Sequence, residues 1–124
     1  MVRPVKAAAT MAMVLTLMGC DGPSAPDPAV CRDFIHRICI NPVCAETSVL
    51  KADAGAACDA ILQARTGCDS ETFKFTTPSR ERFLTCRAPL LNAGDTVEVH
   101  PACGDVTQSF EQCPDVVRML RGIP

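Results

Sequence analysis

Nine cysteines and two histidines are the side chains of this sequence best suited to chemistry. Thiolates ligate metals, exchange disulfides and act as nucleophiles, and imidazole titrates near neutral pH. The spacing removes most of these options. No Cys-x-x-Cys occurs, so thioredoxin-like exchange and covalent haem attachment both lack their signature. The closest pair, Cys39 and Cys44, has no second pair to complete a zinc site, and neither a metal nor a cofactor is expected. His36 and His100 have no nucleophile motif beside them and read as surface histidines. The run Asp69, Ser70, Glu71, Thr72 lacks the glycine and ligand spacing of a calcium loop. The other carboxylates, among them Asp33, Asp59, Asp95, Glu98 and Asp105, single out no acid and base pair. With no glycine-rich phosphate loop or dinucleotide fingerprint either, no enzymatic activity is expected.

Cys20 stands apart from the other cysteines by its position. Residues 1 to 6 carry Arg3 and Lys6 without an acid, and Ala7 to Met18 are uncharged and mostly apolar, which is the shape of a signal peptide. This run is shorter than the ~20 apolar residues of a membrane-spanning helix. Gly22, Pro23, Pro26 and Pro28 follow it closely. Leu17-Met18-Gly19-Cys20 resembles the lipobox of bacterial lipoproteins, with Met18 the less usual occupant. The resemblance covers about twenty residues. It implies removal of residues 1–19, a thioether-linked diacylglycerol on Cys20, and a new amino terminus open to acylation with a chain such as palmitate. Two or three acyl chains hold a protein firmly on a membrane, because each buried methylene contributes ~0.8 kcal/mol. The implied location is the periplasmic or cell-surface side of a bacterial cell membrane, with the choice of membrane left open. Residues 20–27 would form the lipidated end and a short exposed tether rich in proline, glycine and serine, and 28–124 the folded domain.

Loss of residues 1–19 takes away two of the twelve basic side chains and none of the fourteen acidic ones, leaving a more acidic protein. Its arginines, from Arg32 to Arg121, are scattered among acids and form no basic patch, which reads as a solvated surface and argues against nucleic acid as a partner. The cysteines after Cys20 are even in number, in an exported chain without tryptophan or tyrosine and with five phenylalanines. Four disulfides are the natural reading, and the core must rely on aliphatic side chains and cystine.

The elements that position these cysteines follow from periodicity and capping. Asp27-Pro28 reads as an N-cap followed by a first-turn proline, and Val30, Cys31, Phe34, Ile35, Ile38 and Cys39 then recur at helical spacing until Asn41-Pro42. A second helix is predicted over 54–64, capped by Asp53 and ended by Gly67 in a left-handed turn. A third is predicted to open at Thr77-Pro78 and to be kinked or divided by Pro89. A fourth is predicted to start near Asp105, with Gln108 placed for a capping box, and to be broken or restarted by Pro114. Thr72 to Thr76 and Thr96 to His100 alternate polar with apolar, and fit equally a two-stranded ribbon or two extended loops.

If the first two helices form an antiparallel hairpin, facing residues have nearly constant summed numbers, which pairs Cys31 with Cys68 and Cys39 with Cys58. The same logic pairs Cys86 with Cys113 and leaves Cys44 for Cys103, one choice among about a hundred connectivities. Cys58 and Cys68, and also Cys103 and Cys113, share the spacing of twin C-x9-C helical hairpins, but Gly104 would place Cys103 ahead of its helix. The adjacent Cys-Cys and the Cys-x-Cys of plant lipid-transfer proteins are both missing. The expected fold is all-α, a small disulfide-rich bundle of about four short helices. As a whole the chain is similar to the small cysteine-rich lipoproteins of bacteria with large genomes, a likeness of lipobox and cysteine density that implies no substrate. The expected role is a structural or protein-binding module at the cell envelope, held on the membrane through Cys20, with an unidentified envelope protein as its partner. The alternative is carriage of a small apolar ligand.

Overall fold

The computed structural model describes residues 24–40, 50, 56–92, 94–96 and 98–123, and these form five helices with no strand. Helix α1, Asp27–Cys39, buries the stripe Val30, Phe34, Ile35 and Ile38 completely. Its N-cap is Pro26 and not Asp27, which is the first helical residue. The Asp27 carboxylate has better partners elsewhere: it accepts the Phe75 N–H at 3.0 Å and the Arg80 guanidinium. Ala25 is buried as well, so the exposed tether expected to reach Asp27 ends sooner.

Helix α2, Ala56–Thr66, turns Cys58 and Leu62 into the core, while the expected cap Asp53 lies outside the described residues. It ends at Gly67, whose φ of 86° is open to glycine and costly for any other residue, and whose N–H bonds to the carbonyl of Gln63. Helix α3, Arg80–Arg87, starts after the expected Thr77-Pro78, with Ser79 as its cap accepting the Arg82 N–H at 3.2 Å. A serine hydroxyl reaches the third amide of the helix, which a threonine two residues earlier does not. Pro89 cannot donate to a helical ladder, and the chain continues as a 3-10 turn over Ala88–Asn92.

Helix α4, Cys103–Gln112, begins two residues before the expected Asp105. Asp105 sits at its third position and reaches back to accept the Ala102 N–H at 3.0 Å. Cys103 therefore opens the helix and does not precede it, with open space around Gly104. Cys113 leaves helical geometry, and Pro114 starts a second short helix, α5, over Pro114–Leu120.

Helices α1 and α2 pack as one hairpin; α3 and its 3-10 turn pack against α4 as another. They join where α1 meets α3 and α2 meets α5. Of the two readings left open for Thr72–Thr76, the packed loop is the one adopted: Phe73 and Phe75 alternate because both turn inward. Phe73, Phe75, Phe83 and Phe34 form a continuous chain of rings with centroids 4.6–5.0 Å apart. The few aromatic residues are thus concentrated at the join, where offset and edge contacts add to area burial. At the other segment, Thr96 and Val99 close a turn through the Thr96 N–H and the Val99 carbonyl.

Candidate functional site

The structure joins Cys31 to Cys68, Cys39 to Cys58 and Cys86 to Cys113, with Cα separations of 6.0, 5.7 and 6.1 Å. The first two bridges lie at opposite ends of the α1–α2 hairpin, and the third ties α3 to the junction of α4 and α5. Cys103 is also disulfide-bonded. Cys20 and Cys44 lie outside the described residues.

A buried charge cluster is the main feature that sequence reasoning missed. Asp33 and Arg37 fall on the polar face of α1 and read as solvated, yet their side chains are 7% and 11% exposed. Arg87, from the end of α3, is 3% exposed. One oxygen of Asp33 accepts both the Arg37 Nε–H at 2.9 Å and an Arg87 Nη1–H at 2.8 Å. Arg37 also donates to the Leu90 carbonyl at 3.4 Å, and its guanidinium lies 3.9 Å from the Asp95 carboxylate. Burying such groups is costly unless they are paired, so the cluster is a joint that works only when α1 and α3 are in register. Asp33 thus ties two arginines of different helices together, an architectural role.

Two further pairs fasten the periphery. Arg80 donates to the Ala25 carbonyl at 2.6 Å as well as to Asp27. Burial acts to raise the Asp27 pKa, but the Phe75 N–H, Arg80 and the nearby Lys74 charge together outweigh it and hold the carboxyl below its ordinary value. Arg82 grips Asp115 through two parallel bonds of 3.0 and 3.1 Å, linking α3 to the first turn of α5. The hydrogen bond from Arg82 lowers the Asp115 pKa against the opposing effect of burial, helped by the Val116 N–H, and the same bond raises that of Arg82.

An open groove of about 560 Å³ runs between the end of α2, the Thr77–Pro78 segment and α5. Pro78, Met119 and Ile123 give it apolar surface, Thr66 and Thr77 give hydroxyls, and Arg65 and Arg118 border it. Arg65 is a strut of this wall: it donates to the carbonyls of Leu50 and Leu120, joining α2 to the end of α5. A smaller cavity lined by Phe73, Phe75 and Met119 adjoins the groove through Thr66, Thr77 and Pro78.

His36 is half-exposed, with Nε2 3.0 Å from the Asp95 carbonyl and Nδ1 3.7 Å from Asp59. Both ring nitrogens thus face oxygen atoms, one on α2 and one in the segment after the 3-10 turn. His100 Nδ1 faces the neighbouring Pro101 carbonyl at 3.0 Å. In the acidic loop, Ser70 bonds to Thr72 and Glu71 pairs with Arg32, which also donates to the Cys68 carbonyl. Among the described residues no three His, Cys, Asp or Glu side chains gather as a metal site would require, and no helix is long and apolar enough to cross a membrane. Compared with protein-family models, with curated proteins and with solved structures, the chain matches none.

Proposed function

We propose that this chain is an exported protein, lipid-anchored through Cys20 to a bacterial cell membrane, and that its domain is a protein-binding module of the envelope without enzymatic activity. The groove between α2 and α5 is the observation that carries the binding role. It is open along its length and mixes apolar surface with hydroxyls and arginines, a lining that suits an extended polypeptide better than a small apolar ligand. The interior favours the same choice, because Phe34, Phe83, Ile35, Ile38, Leu62 and Leu90 fill the space between helices. The Arg65 strut fixes the α2 wall to the end of α5, which lowers the ordering cost of binding.

The test compares in-cell crosslinking of the intact lipoprotein with that of a Met119→Glu/Ile123→Glu variant. A partner enriched with the first and lost with the second, while a Glu98→Gln control keeps it, is the expected result. Failure to find a groove-dependent partner, or a native mass spectrum showing a stoichiometric bound lipid in the groove, would overturn the reading.

A further inference from the structure

The described chain is fixed to the domain from Ala25 onward, and this sets how far the domain can stand from Cys20. Ala25 is 3% exposed and its carbonyl is held by Arg80 at 2.6 Å. Two residues on, the Asp27 carboxylate takes the Phe75 N–H and the Arg80 guanidinium. From Cys20 to Ala25 the chain can extend at most about 18 Å, however it is arranged.

The surface around this exit is made by the Lys74–Thr77 segment and the approach to α3. Ser24, Pro26, Lys74, Thr76, Thr77 and Ser79 are exposed there, and none is acidic. Lys74 is near enough to Asp27 for its charge to help keep that carboxylate ionised. Glu71, at the far end of the loop, is paired with Arg32 on α1, and Glu81 stands in the first turn of α3. The exit therefore presents a lysine among small polar side chains, a surface compatible with anionic headgroups.

We propose that this face, Ser24 together with Lys74–Thr77, rests on the lipid bilayer that holds Cys20. The inference depends on the lipid-anchored reading of Cys20. A tether this short keeps the bilayer at high effective concentration, so a weak contact suffices to set the orientation. The groove, whose adjoining cavity is lined by Lys74 through Thr77, then opens close to the membrane and not toward bulk solvent.

The experiment measures hydrogen–deuterium exchange on the full lipidated protein in phosphatidylcholine vesicles with and without phosphatidylglycerol. The comparison protein carries a Gly-Ser insert of about twenty residues after Gly22, long enough to release the domain from the surface. Amides of Lys74 to Thr77 are expected to exchange about tenfold more slowly with the natural tether than with the insert. The difference should narrow in Lys74→Glu on the anionic vesicles. The mass of the N-terminal peptide is read from the same samples. Equal exchange with diacylglycerol present on Cys20 overturns the orientation alone and leaves the anchor standing. An unmodified Cys20 overturns both, and protection confined to another face, such as the Asp95–His100 segment, overturns the orientation.

Discussion

Each of the two hairpins carries its own disulfide brace; where the hairpins meet, ion pairs, arginine-to-carbonyl bonds and aromatic rings are added to a shared aliphatic core. Cys31–Cys68 and Cys39–Cys58 brace α1 to α2 and its exit, and Cys86–Cys113 braces α3 to the turn before α5. At the join stand Asp33 between Arg37 and Arg87, the ring pair Phe34–Phe83, and the Arg80 and Arg65 struts. The difference separates two tasks. Disulfides limit how far each hairpin can open, whereas a shared buried carboxylate tolerates one relative placement of the halves.

The sharpest way to break this contrast is Asp33→Ala, which removes the carboxylate oxygen that two buried guanidiniums share. A loss of about 3–5 kcal/mol in urea unfolding is expected, and Asp33→Leu combined with Arg37→Leu and Arg87→Met should recover most of it. Removing the covalent brace by Cys86→Ala with Cys113→Ala should cost about 2–4 kcal/mol. A disulfide loss larger than the Asp33 loss would reverse the ranking of join over brace.

Third comes the tether clamp, tested by pH. Asp27 and Asp115 both have folded pKa values below their ordinary 3.8, so their contribution is complete above that value and is lost as pH falls through the folded one. Thermal midpoints should drop between about pH 5 and pH 2, with a shallower acid slope in Asp27→Asn and a loss of about 1 kcal/mol at neutral pH. A slope unchanged by Asp27→Asn would remove the clamp from the account. The smallest effect is expected for Arg82→Gln at the half-exposed Asp115 pair. It should be detectable at low salt and vanish at high salt in the same unfolding assay.

What was legible in the sequence was whatever neighbours encode. The stripe from Val30 to Ile38 specified α1; Gly67 marked a left-handed stop, and Pro89 and Pro114 marked the two breaks. The hairpin bridges followed from helical rise, because partners in an antiparallel pair are ordered by number alone. The polar joints were not legible. Asp33 and Arg37 look like an ordinary surface pair four residues apart, and nothing near them announces Arg87, which arrives from another helix. Asp27 departs from its local pattern for the same reason: the long-range partners Phe75 and Arg80 take the carboxylate that a cap would use. The groove was also hidden, since Thr66, Pro78 and Met119 meet only after folding.

The bridge between Cys31 and Cys68 has a mechanical meaning. A load arriving through the N-terminus meets first the Arg80 clamp at Ala25 and Asp27, then the opening turn of α1. If the clamp yields, only the residues ahead of Cys31 can peel away before the force passes into a covalent link beyond α2. The domain has a stop within the first turns of its first helix, so strain that frays its edge leaves the groove walls standing.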